Sequence, residues 1–247
     1  MPKKCIVLDI ESVPAHAAVL DEKGHDFALP IFHRIVCLSY AVLDGSFKVT
    51  EVGTLGLNRQ SEEDAIRHLS SLIDKDTMIV TWSGRRFDMP VFLYRALAYG
   101  IPCPWYFKNE FDKRFTLTGH FDLQDNMMLF GAADKIRLDH AAAVIGLPGK
   151  MDVAGADVAD LWARNRFLTI GTYCVTDVIQ TAILFIRWAF LRGLATADEV
   201  NGALNSIASY PSTTYLPTDA ASLVSVAEGI KKVVSNCDWD SLKIVKR

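Results

Sequence analysis

Cys5-Ile-Val-Leu-Asp-Ile-Glu11 begins as a run of β-branched and apolar residues and ends on two carboxylates. Its composition reads as a buried central strand, and period-2 alternation puts Asp9 and Glu11 on one face at the strand end. Adjacent anions at the mouth of a core strand repel each other unless a cation holds them, or unless the strand end is simply solvated. The same acid-x-acid spacing recurs at Glu62/Asp64, Asp74/Asp76, Glu110/Asp112 and Asp238/Asp240. Only the first pair directly follows a buried strand.

Working outward, Arg34–Leu43 and Phe47–Leu55 read as strands joined by a tight turn at Asp44-Gly45-Ser46. Ser61 is placed to cap a helix whose apolar positions are Ala65, Ile66, Leu69, Leu72 and Ile73. A strand over Thr77–Trp82, a helix from Asp88 to Tyr99 and a short strand at His120–Leu123 follow. The remainder is helical, over Leu138–Ile145, Ala156–Asn165 and Phe167–Leu191, with Gly193 as terminator. Hairpin first, helix-strand-helix next, the order predicts an α/β fold of three layers, with a mixed five-stranded sheet between helices. Residues 1–193 form the expected main domain. Residues 194–247 form a helical extension packed on it, with a helix from Thr196, a linker at Pro211–Pro217 and a helix over Ala220–Val233.

Half of the 247 residues are hydrophobic, enough for one sizeable core, and the net charge of -3 advertises no polyanionic partner. Five cysteines without a C-x-x-C pair point to a reducing cytoplasm rather than to a disulfide framework or a zinc site. The N-terminal apolar run is too short for a signal peptide. The longest later run, from Ala182, is interrupted by Arg187, which argues against a membrane span.

Two further acids stand out. Asp88, in Trp82-Ser-Gly-Arg-Arg-Phe-Asp-Met-Pro90, reads either as an N-cap before a proline or as a ligand facing Asp9 from the same sheet edge. Tyr173 and Asp177 are one helical turn apart among apolar residues, where a carboxylate needs a metal or a buried hydrogen bond.

In order and spacing, Asp9-x-Glu11, Phe87-Asp88 and Tyr173-x-x-x-Asp177 resemble the three motifs of the DEDDy 3′-5′ exonucleases of the ribonuclease H-like superfamily. Within that group the chain is similar to the stand-alone bacterial exonucleases that are like the proofreading domain of family B DNA polymerases. Gly84-Arg-Arg-Phe-Asp-Met-Pro90, His120-Phe-Asp-Leu123 and Leu147-Pro-Gly-Lys150 carry that likeness. One departure is Ser83, where the family usually has Asn. An alternative, a haloacid-dehalogenase-type phosphatase with Asp9 as nucleophile, expects Asp at position 11 and leaves Tyr173 and Asp177 unused. A binding module without turnover is the other alternative.

The resemblance implies that Asp9, Glu11, Asp88 and Asp177 hold two Mg²⁺ or Mn²⁺ ions, with Asp9 bridging, about 3.5–4 Å apart as in two-metal hydrolysis. Tyr173 would orient the attacking water, and nucleoside 5′-monophosphates would leave the 3′ end of a nucleic acid, DNA rather than RNA, as in DNA repair. Ser83, Arg85, Arg86 and Phe87 are candidates for substrate contact, Phe87 equally for a core staple. Trp105–Phe115 interleaves aromatics with Lys108, Lys113 and Arg114, suiting either base stacking or packing onto the second helix. Two bound ions would move the formal charge from -3 to roughly +1.

Overall fold

The computed structural model describes residues 3–15, 29–57, 61–108, 111–116, 118–149, 153–210 and 220–245. Lys150, Asn109, Glu110 and the Pro211–Pro217 linker lie outside them. Five strands, β1 (Lys4–Pro14), β2 (His33–Asp44), β3 (Val49–Leu55), β4 (Thr77–Thr81) and β5 (His120–Asp122), form one sheet of order β3-β2-β1-β4-β5. β1 pairs antiparallel with β2, and β2 with β3. β1 with β4 and β4 with β5 are parallel, so the sheet is mixed.

Alternation along β1 sorts the core into two layers. Ile6, Leu8 and Ile10 face α1 (Glu62–Leu72), α2 (Asp88–Ala98) and the short α3 (Pro104–Lys108). Cys5 and Val7 face the opposite layer, built on the 25-residue α7 (Phe167–Leu191). Between β5 and α7 the chain forms α4 (Leu123–Met127), α5 (Leu138–Val144) and α6 (Val158–Ala163). Beyond α7 lie α8 (Ala197–Ala208), α9 (Ala220–Asn236) and α10 (Trp239–Leu242), whose Leu204, Ile207, Ile230, Val233 and Leu242 share one core with α7. On the other face Glu62, nearly fully buried, accepts the Ile35 N–H at 2.6 Å and a two-pronged bond from Arg95, joining α1, β2 and α2.

Two expectations need correction. β1 runs to Pro14, so Asp9 and Glu11 sit within the strand instead of closing it. Pairing with β4 nevertheless stops at Val7/Val80, and the edge beyond is where the pair is reached. Arg187 does not by itself argue against a span, because α7 remains long and apolar enough to cross a membrane by length and composition. Its apolarity is accounted for by burial: 72% of its most apolar window is inside the protein.

Candidate active site

The strand alternation that points Cys5 and Val7 at α7 carries on to Asp9 and Glu11, whose partners across β2 are Ser39 and Cys37. Above them α7 presents Tyr173, Cys174 and Asp177 within about one turn. The Cys174 Sγ–H lies 3.4 Å from both the carbonyl and the Oδ2 of Asp9. Asp9, Tyr173 and Asp177 line a cleft of about 300 Å³, with Trp82, Ser83, Gln124 and Gly149 in its walls and Asp139 and the exposed Lys135 and Arg137 also lining it.

Asp88 arrives from the other helical layer. It opens α2, yet it is not the cap: Phe87 occupies that position, and no side chain caps the helix. Asp88 is 6% exposed, and its Oδ2 has no hydrogen-bond partner among the described residues. Burial raises its carboxyl well above the usual range, and the Asp9 and Asp122 charges push it further. Glu11 is likewise raised by burial, then by Asp9, Asp177, Cys37 and Asp88. Asp9 is pushed up to about 6 by burial, moderated by hydrogen bonds from the Cys174 thiol and the Ile10 N–H. Glu11 thus lies near Asp9, Asp177 and Asp88, and Asp88 near Asp9. Carboxylates that repel each other, two of them buried and two half-buried, one with an unsatisfied oxygen, are a donor set suited to hard divalent cations.

The loop before α2 is held from β5. Asp122 Oδ1 accepts the Ser83 N–H at 3.1 Å and Oδ2 the Arg85 N–H at 3.0 Å. Gly84 lies so close to Thr81 that a Cβ there would meet its side chain at 2.5 Å. Ser83 has a left-handed backbone, φ 61°, a conformation Asn adopts more readily than Ser. Arg85 is turned from the cleft: its guanidinium donates to the carbonyls of Phe111, Lys113 and His120. Arg86 is exposed. Phe87 packs into the core beneath α2 and meets His33 edge-on at 5.0 Å.

Of the aromatic stretch, Trp105, Tyr106 and Phe111 belong to the core, while Phe107 and Phe115 are 65% and 70% exposed. Arg114 is paired with Asp125. Gly149 is clamped to α7 by Gln180, which accepts its N–H at 2.7 Å and donates to its carbonyl at 2.9 Å. Sequence alone does not single out Asp122, Gln180 or Cys174 as site residues. Asp122 lies within His120-Phe-Asp-Leu123, and Cys174 adjoins Tyr173.

Among solved structures, a family B DNA polymerase from Pyrobaculum calidifontis is 17% identical over 92% of this chain and 27% of its own, with a TM-score of 0.49. Escherichia coli exonuclease I bound to a dA16 oligonucleotide is 16% identical, over 72% of this chain and 45% of its own, with a TM-score of 0.41. The zinc-ion-bound form of its complex with single-stranded DNA is also 16% identical, over 69% and 41%, with a TM-score of 0.41. The chain thus spans less than half the length of each. No curated protein sequence matches it significantly. A family model described as "Predicted 3'-5' exonuclease related to the exonuclease domain of PolB" matches residues 25–217. That match sets aside the phosphatase alternative. With most of its length covered by that model, the chain belongs to the family of predicted 3′-5′ exonucleases related to the exonuclease domain of PolB, and is an enzyme of that kind.

Proposed function

We propose that this protein hydrolyses the terminal phosphodiester at the 3′ end of DNA, at single-stranded or frayed ends, releasing nucleoside 5′-monophosphates. The observation that carries the reading is that Asp9 and Asp177 line one cleft, with Glu11 and Asp88 near enough to feel their charges and the buried Asp88 Oδ2 left without a partner among the described residues. These four residues would hold two Mg²⁺ or Mn²⁺ ions. When bound, such ions supply charge stabilisation at the phosphoryl oxygens and an activated water.

The chain's own groups do the rest. Tyr173 is kept protonated by burial and by the neighbouring Asp177, Glu11 and Asp9, so its hydroxyl orients water and does not accept its proton. Lys135 and Arg137 on the rim face the incoming polyanion, although Arg137 is also paired with Asp139. Ser83 stands where the terminal nucleotide would enter. We place the activity in cytoplasmic DNA repair, which the five free thiols support, and treat residues 194–247 as part of the same folded unit.

The test is to incubate the protein with 5′-labelled single-stranded DNA, recessed duplex and RNA, each with Mg²⁺, Mn²⁺ or a chelator. Stepwise shortening from the 3′ end of DNA only with metal is expected, together with weak binding by the chelated protein. Internal cuts, free phosphate, or binding without cleavage would each reject the reading.

A further inference from the structure

The sheet face beneath α7 brings sulfur in among the carboxylates. We propose that Asp9, Glu11 and Cys174 form a site for a thiophilic divalent cation, of the zinc and cadmium class, with the Cys174 sulfur as a direct ligand, and that this loading arrests the nuclease. The inference rests on the assignment of the carboxylates as metal ligands, and concerns how the same site treats a different cation. One ligand atom from each of the three residues lies within 4.8 Å of the other two. Cys174 is fully buried, and its sulfur is 3.4 Å from Asp9 Oδ2, so modest movement would bring both onto one ion. Strand register sets Cys37 opposite Glu11 on the same face, a second thiol close behind the first. A second pointer to a cation is Asp88, 6% exposed, with an Oδ2 that has no partner among the described residues.

The two classes of cation would use this set differently. A hard ion such as Mg²⁺ takes oxygen and keeps its waters, leaving the Cys174 S–H intact as a donor to Asp9. Zinc and cadmium prefer thiolate and low coordination number. On ligation the S–H bond breaks, its proton passes to solvent and a sulfur–metal bond forms, with no change of oxidation state. The added ligand makes the thiophilic ion hard for Mg²⁺ to displace.

The test titrates the full-length, metal-free protein with Cd²⁺ and follows the ultraviolet thiolate-to-cadmium charge-transfer band. Expected is a band saturating at one equivalent in the wild type, absent in Cys174→Ser and retained in Cys37→Ser. The Zn²⁺ concentration that halves each variant's own Mg²⁺-supported rate should rise by about tenfold or more in Cys174→Ser. If Cys174→Ser does not fold, Asp9→Asn, with every cysteine intact, must weaken Cd²⁺ binding by about tenfold. A band that survives in Cys174→Ser, or Cd²⁺ affinity unchanged in Asp9→Asn, overturns the proposal. Trimming with Mg²⁺ alone is scored separately. Its absence would reject the nuclease assignment while leaving the cadmium band to report on the sulfur site.

Discussion

Asp122 Oδ2 accepts the backbone N–H of Arg85 at 3.0 Å, tying the end of β5 to the loop that delivers Asp88. With the Ser83 N–H on the other oxygen, one carboxylate fixes both ends of the turn before α2. Asp122→Ala should lower the trimming rate by about 10- to 100-fold and weaken Mn²⁺ binding by calorimetry, since an outer group that orients a ligand acts through it. Asp122→Asn, which keeps an acceptor, should fall between. An unchanged rate in Asp122→Ala would show that the loop is held by other contacts.

Ser83 occupies a left-handed backbone position on the cleft wall. Ser83→Asn should stabilise the protein by about 1 kcal/mol, seen as a higher melting temperature, because Asn visits that region at lower cost. The restored amide should also lower KM for a 3′ end. A melting temperature that drops would mean the cleft has no room for the longer side chain.

Burial holds the Asp9 carboxyl at about 6 against an ordinary 3.8. The folded chain therefore binds more protons than the unfolded chain between those values. Its stability from this group falls as pH rises through the window, and the loss is complete above it. Metal-free Asp9→Asn should accordingly melt roughly 5 °C above metal-free wild type at neutral pH, the gap closing as pH approaches the ordinary value. The same variant should show no metal-dependent trimming. A gap that widens with acidification would reverse the assignment.

Tyr173 is held protonated, its phenol raised by burial and by Asp177. Tyr173→Phe should cut the rate by about 10²-fold with Mn²⁺ affinity unchanged, and the wild-type pH–rate profile should have no limb from tyrosinate formation. Loss of metal affinity in Tyr173→Phe would instead make the residue part of the metal site's support.

Arg85 and Arg86 are adjacent, and their variants should behave differently. Arg85→Ala removes hydrogen bonds to three carbonyls and should cost about 1–3 kcal/mol of stability by denaturant unfolding. Arg86→Ala, on an exposed side chain, should leave stability intact and raise KM with a shallower salt dependence.

The layers were legible because β-branched runs and turn residues mark strands whatever surrounds them. The Phe167–Leu191 helix emerged with the bounds expected. Short α3, α4 and α10 were missed, being too brief to show a period. Alternation alone puts Asp9 and Glu11 on one face, while their role follows from the resemblance; β1 outruns its apolar segment because β2 continues to pair with it to Pro14. Local sequence made Asp88 resemble a cap. Only the tertiary arrangement shows that its carboxylate turns inward while Phe87 takes the cap position. Arg85 was out of reach for a related reason: a charge in a loop gives no sign of whether it faces solvent or a neighbouring strand's carbonyls. Cys174 carried no signal, since a thiol in an apolar helix reads as core until the strand beneath it is known.

Gly229 of α9 lies against α7, where a Cβ would come within 2.7 Å of Val175. Val175 stands between Tyr173 and Asp177 in sequence, so the C-terminal helix leans on the turn of α7 that furnishes both. Any bulk added at Gly229 must be absorbed by displacing that turn. A helix more than two hundred residues beyond β1 thus sets a tolerance for the site, and a Gly229→Val lesion there reads out as lost catalysis, with every acidic side chain still present.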